Sequence, residues 1–162
     1  KQLPSMMDLV PGIRNAVRAV IMQDDHLLLL RKEYEDGSER YVLPGGAQDL
    51  GETLAAALQR ECREEIDTEV RISGLLYLAD LFKPKETTPP SYRHQVEYFF
   101  LCDVPDAYVA QNGYRPDKHQ AAVVWVERQQ LHSINIFPSG LSDLFVSGNL
   151  DAHPIYLGQI GV

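Results

Sequence analysis

Apolar positions fall along the chain in short blocks separated by turn-forming residues, a pattern that predicts many strands and few helices. Residues 13–22 are rich in Val, Ile and Ala and predict a strand. Gln23-Asp24-Asp25 is a polar turn, and residues 26–32, with the run Leu27-Leu28-Leu29-Leu30, predict a second strand. The two are expected to form a hairpin. Residues 33–40 are charged, contain Gly37 and read as a loop. Residues 41–43 form a short strand expected to stop at Pro44-Gly45-Gly46, a tripeptide that favours a tight turn over a continued ladder.

The strongest helix signal covers residues 53–66, which hold Ala55-Ala56-Ala57 and neither Gly nor Pro. Thr53 is the expected N-cap, and Asp67-Thr68 the end. Beyond it, residues 70–82 predict one or two strands around Gly74, and residues 83–93, with Pro84, Pro89 and Pro90, a loop. Strands are expected at 95–104 and 121–127, flanking a long loop at 105–118. A helical turn at 128–132 and a C-terminal helix at 139–146 complete the series. Strands, helix, strands, helix is the order of a mixed sheet with helices packed on its faces.

The helix carries an unusual distribution of charge. With Leu54 at zero and about 100° per residue, Leu58, Cys62 and Ile66 form one apolar arc. Glu65 falls inside that arc, Glu61 on its edge and Glu64 further round the same side, next to Arg60. Like-charge pairs at i,i+4 and i,i+3 repel. Arg60 can pair with Glu64 and Arg63 with Asp67, but no arginine on the helix faces Glu65. A buried carboxylate without a partner takes up a proton or finds a cation, and hard divalent ions prefer several carboxylate oxygens. Taken alone, the Glu-x-x-Glu-Glu spacing also fits a salt-bridged surface helix.

The longer segment narrows that choice. Gly46, Glu52, Arg60, Glu61, Glu64 and Glu65 stand at the spacing Gly-x5-Glu-x7-Arg-Glu-x-x-Glu-Glu. This resembles the Nudix box, and Tyr41-Val42-Leu43-Pro44-Gly45-Gly46 resembles the family's lead-in. Two positions depart from the box: Asp67 replaces the final glycine, and Thr68 the aliphatic after it. Asp tolerates the left-handed conformation that a helix end requires better than most residues, so metal binding is expected to survive.

The resemblance implies an α/β (α+β) fold, the family's α/β/α sandwich with a mixed β-sheet, as a single domain over residues 1–162. It further implies that Glu61, Glu64 and Glu65, helped by the Gly46 carbonyl, hold Mg²⁺ (Mn²⁺ as the alternative). Arg60 would orient a glutamate, and Glu52 would brace the ligands. The reaction expected is hydrolysis of a phosphoanhydride in a nucleoside diphosphate linked to another group, with the family's homodimer as one assembly. A metal-bound water needs a base within reach, and the candidates are Glu64 and Glu97, the latter a carboxylate from outside the box.

Composition adds limits. The net charge of −8 argues against general nucleic-acid binding, which needs a basic surface. The apolar runs are too short to cross a bilayer, and no signal-peptide pattern opens the chain. Because the chain begins at Lys1, its native start is expected to lie upstream. Cys62 and Cys102 form no CxxC pair and read as reduced core residues, whence a cytoplasmic location is expected.

Substrate choice is less legible. Arg18 and Arg31, with Arg14 and Lys32, are candidates for phosphate or ribose, and Tyr41 and Tyr77 for stacking on a base. His94 and His119 are candidate polar site residues. Pro84 stands sixteen residues past the box, near a proline that the family associates with ADP-ribose pyrophosphatases. ADP-ribose or a similar derivative, a nucleoside triphosphate, and a silent nucleotide sensor all stay open.

Overall fold

A computed structural model describes residues 8–161. Nine strands and one α-helix are described: β1 (Leu9–Val20), β2 (Met22–Gln23), β3 (His26–Glu33), β4 (Glu39–Val42), β5 (Gly45–Ala47), α1 (Leu54–Ile66), β6 (Arg71–Lys85), β7 (Ser91–Asp103), β8 (Gln120–Glu127) and β9 (Tyr156–Ile160). They build a mixed five-stranded sheet in the order β5-β1-β7-β6-β9, in which β1 runs parallel to β7 and β9 parallel to β6. A four-stranded antiparallel sheet joins β2, β4 and β8 to β3.

The strands are apolar on both sides because both sides are covered. Leu28 and Leu30 of β3, with Val17 and Ala19 of β1, pack against Ala57, Leu58, Cys62 and Ile66 of α1. Their neighbours Leu27 and Leu29 face the opposite way, onto Leu131, Ile136, Leu141, Leu144 and Phe145 from the C-terminal segment. All four leucines of the run are fully buried, each contributing about 1.5–3 kcal/mol. A continuous apolar run in place of alternation is the mark of a strand buried on both faces.

Several expectations need correction. The hairpin exists only as β2 with β3, two residues deep, closed by Asp24 and Asp25 at positive φ. Strand β1 itself belongs to the other sheet. The strand before Pro44-Gly45-Gly46 does stop, β4 ending at Val42, but the tripeptide does not make the expected tight turn. Gly45 and Gly46 open β5, which pairs with Arg18 and Val17 of β1 and so carries the chain from one sheet to the other. Glycine makes this possible: Gly45 has φ 143°, and a Cβ there would fall 1.9 Å from the Val17 carbonyl oxygen.

Strands β6 and β7 run further than their prolines suggested, so the loop at 83–93 shrinks to 86–90. Pro84 sits inside β6, opposite Tyr92. The helix expected at 139–146 is only a 3₁₀ segment, Leu141–Leu144, bounded by the left-handed Gly140 and Gly148. The second face is therefore covered by 3₁₀ segments and loops, and among the described residues α1 is the one long helix. Strand β9 went unpredicted because its sequence, Tyr-Leu-Gly-Gln-Ile, lacks clear alternation. Among the described residues no helix is long and apolar enough to cross a membrane.

Candidate active site

Helix α1 begins where Thr53 accepts a hydrogen bond from the Ala56 N–H at 3.0 Å, and it ends at Asp67, whose φ of 65° and ψ of 34° are left-handed. Asp67 thus adopts the conformation that a glycine would take in the box. Its carboxylate accepts from Gln111 rather than pairing with Arg63, which reaches Glu69 instead at 3.0 Å.

The orphan carbonyls of the last turn are met by the loop at 105–118 and by Gln120. Tyr108 Oη donates to the Ile66 carbonyl at 2.7 Å, Gly113 N–H to Glu65 O at 3.0 Å, and Arg115 N–H to Glu64 O at 2.9 Å. Gln120 Nε2 adds a bond to Glu65 O at 2.9 Å. A Cβ on Gly113 would stand 2.3 Å from the Glu64 carbonyl oxygen, so only glycine allows this approach. The loop fixes the turn that carries the acids, a role no local motif announces.

The acids themselves point inward. Glu65 is 2% exposed and Glu64 8%. Glu65 accepts the Gly45 N–H at 2.8 Å. Arg60 holds the rest in place: it donates to Glu52 at 2.7 and 2.9 Å, to Glu61 at 2.9 Å, to Glu64 at 3.3 Å and to the Ala47 carbonyl at 3.0 Å. These hydrogen bonds pull the Glu52 carboxyl down to about 2. Burial, with the charges of Glu61 and Asp117 behind it, holds Glu65 well above the usual carboxylate range, and burial also raises Glu61 against the pull of Arg60.

Among the described residues no three ligating side chains yet surround one point, because Arg60 and the Gly45 N–H occupy them. The donor set nonetheless fits a hard divalent cation. Three carboxylates lie within five residues, the Glu65 charge has no basic partner on the helix, and the Glu61 carboxyl rests where a Cβ on Gly46 would be, 2.6 Å away.

Beside the acids opens a small cavity of about 60 Å³, walled by Arg18, Lys32, Arg40, Lys83, Glu97 and Asp117, with apolar lining that includes Phe99, Phe137 and Leu141. Glu97 is 1% exposed, and both its oxygens are taken: Arg18 Nε donates at 2.9 Å and Gln95 Nε2 at 3.0 Å. Burial alone would depress Arg18, but the Glu97 charge and hydrogen bond outweigh it and raise its pKa.

Arg31 and Tyr41 do not reach this cavity. They face each other across β3 and β4, on the side opposite Lys32 and Arg40, and Arg31 is spent on Glu33 and Glu39. The period of two explains the error, since a neighbouring residue on the same strand points the other way. Tyr77 lies in the core with its hydroxyl on the Leu150 carbonyl, and His94 pairs with Asp80. Arg14 lines a separate groove with Gln48 and Glu52. His119 stacks near Tyr34 in an outer groove. The sequence reading missed Arg40, Lys83 and Asp117, none of which stands in a motif.

The family model of the NUDIX domain matches residues 12–144. The chain belongs to the NUDIX family. It is 28% identical over 89 residues to an ADP-ribose pyrophosphatase of Methanocaldococcus jannaschii, covering 55% of this chain and 50% of that one. It is 31% identical over 93 residues to the NAD-capped RNA hydrolase NudC of Photorhabdus laumondii, covering 57% and 32%. The chain therefore spans half or less of the length of these relatives. In three dimensions it resembles a NUDIX hydrolase of Nitrosomonas europaea, with a TM-score of 0.65, 18% identity, and coverage of 93% of this chain and 79% of that one. That likeness confirms the NUDIX fold: a mixed sheet with the box helix on one face.

Proposed function

We propose that this NUDIX chain is a Mg²⁺-dependent pyrophosphohydrolase that cuts the phosphoanhydride of a nucleoside diphosphate joined to a second group, with ADP-ribose as the type substrate. One observation carries the reading: buried Glu65 accepts the Gly45 N–H, and Gly45 pairs with Arg18, a wall of the cation-lined cavity, so the box glutamates and that cavity meet at one strand. The two named relatives act on compounds in which an adenosine diphosphate unit bears a further substituent, which supports the same chemistry here.

Glu61, Glu64 and Glu65 would hold the ion, with the Gly46 carbonyl beside them. When bound, Mg²⁺ neutralises diphosphate charge and lowers the pKa of a coordinated water. The protein's own groups do the rest. Arg60, anchored by Glu52 and the Ala47 carbonyl, sets the carboxylates of Glu61 and Glu64. Glu64 is better suited than Glu97 to take the water's proton. It accepts one long bond from Arg60, whereas both Glu97 oxygens are engaged. Glu97 instead fixes Arg18 at the cavity wall.

The test is product formation from a panel of nucleotides with Mg²⁺. ADP-ribose should yield AMP and ribose 5-phosphate faster than ATP yields AMP. Faster hydrolysis of triphosphates would replace the substrate class, and tight binding without turnover of any compound would make the chain a sensor. Glu64→Gln should lose far more kcat than Glu97→Gln at saturating Mg²⁺; the reverse order would restore Glu97 as the base.

A further inference from the structure

We propose that Lys83 and Arg40 form an anion clamp for the diphosphate of a two-headed substrate, one carrying a substituent on each phosphate. The proposal deepens the hydrolase reading and rests on it for the identity of the anion, while the clamp itself rests on charge and shape.

The charges of the cavity do not balance. Of its four cations, Arg18 is paired with Glu97 at 2.9 Å and Lys32 with Asp117 at 2.8 Å. Among the described residues no ion pair joins Lys83 or Arg40 to a carboxylate. The cavity therefore carries positive charge in excess, in a chain whose net charge is −8. Unpaired cations in a partly enclosed space are costly unless an anion joins them. Burial, together with the positive charges of Arg18 and Lys32, pulls the Lys83 amine below its ordinary range, and the opposing charges of Glu97 and Asp117 do not restore it.

Arg40 is held out for the same use. Its guanidinium lies 4.7 Å from the Phe137 ring centre and 5.5 Å from that of Tyr34. Aromatic faces orient it without consuming its N–H groups, leaving a planar fork free for phosphoryl oxygens. Lys32 and Arg40 also stand directly opposite across β3 and β4, a repulsive pairing that Asp117 relieves on one side only.

Position then says what is clamped. Lys32, Arg40, Lys83 and Asp117 line both the inner cavity and an outer groove. They form the neck between two chambers of different character. Inward, Phe99, Phe137 and Leu141 offer an apolar floor to a planar base; outward, Ser38, Thr87, Lys85 and His119 offer hydrogen bonds to a polar group. A diphosphate seated at the neck has room for a substituent on each side, whereas a triphosphate would use only one chamber.

The experiment is calorimetric titration of the full chain with ADP-ribose in EDTA, where no turnover occurs. Lys83→Met and Arg40→Met should each weaken binding about ten- to hundredfold, the loss of one charge-assisted contact. Lys83→Arg should recover most of it. Arg31→Met, turned away from the cavity, is the control and should bind as the unaltered chain does. Mn²⁺ titration of Lys83→Met should match the unaltered chain, which separates the clamp from the glutamates and certifies the fold. ADP should bind about tenfold more weakly than ADP-ribose, by loss of the outer contacts. Undiminished ADP-ribose binding by both methionine variants, or no binding by the unaltered chain, overturns the clamp; equal affinity for ADP and ADP-ribose overturns the two-headed substrate. Clamp-dependent binding without hydrolysis in Mg²⁺ would leave the clamp standing and remove the enzymatic reading.

Discussion

The acidic end of α1 and the basic cavity beside it are built in opposite ways. The acids come from five consecutive residues, 61–65, on one rigid helix. The cations come from β1, β3, β4 and β6, with Asp117 arriving from the loop at 105–118. On the helix, like charges are forced together by the 3.6-residue turn and wait for a cation. In the cavity, cations are gathered by sheet pairing and wait for an anion. The metal–diphosphate complex proposed above would satisfy both, and each half should fail in its own way when altered.

The largest effect should come from Glu65→Gln. Removing a metal carboxylate should lower kcat by at least about 10² and weaken Mn²⁺ binding in isothermal titration, while ADP-ribose binding in EDTA stays within twofold or so of the unaltered chain. Loss of nucleotide binding as well would show the two halves to be one unit.

Next is Gly45→Ala, which strikes the strand joining them. The clash with the Val17 carbonyl should cost about 3 kcal/mol in urea unfolding. An unchanged midpoint would mean that β5 is not held as described. Glu97→Gln follows. It leaves the Arg18 guanidinium without its anion and should cost about 2–3 kcal/mol. Since it removes no metal ligand, Mn²⁺ affinity should hold; a marked fall there would assign Glu97 to the acidic half.

The smallest effect is in pH dependence. Glu65 and Glu61 have raised pKa values in the metal-free fold, chiefly through burial. A raised carboxyl stabilises the fold while protonated, and that contribution is lost as pH climbs through the folded value. Glu52 runs the other way: lowered to about 2, it stabilises above the ordinary carboxylate range and loses that contribution as pH falls toward 2. Stability in EDTA should therefore decline as pH rises above the ordinary carboxylate range, and Mg²⁺ should abolish the decline. Equal slopes with and without Mg²⁺ would speak against an ion on these glutamates.

Much of the acidic half was legible in the sequence. The cap at Thr53, the apolar arc through Leu58, Cys62 and Ile66, and the inward placing of Glu65 follow from residues a few positions apart. The left-handed end at Asp67 was expected for the same reason. Strand β3 was clear from its apolar run. The failures share a cause. Gly45 and Gly46 read as a turn because the strand they pair with lies far away in sequence. Arg31 and Tyr41 were named beside Lys32, and Arg40 was not, because strand parity, not residue type, decides which face meets the cavity.

By itself, then, the sequence determined the box helix, its cap and the common direction of its acids, because helical geometry converts spacing into position within a few turns. Only the tertiary structure decided which basic residues surround the cavity, that Glu97 is spent on Arg18, and that Gly113 braces the helix end. Those facts depend on sheet register and loop docking between residues far apart in sequence, such as Arg18 and Glu97, separated by 79 positions. No local pattern encodes such pairings, since they arise only when separate strands bury their apolar faces together.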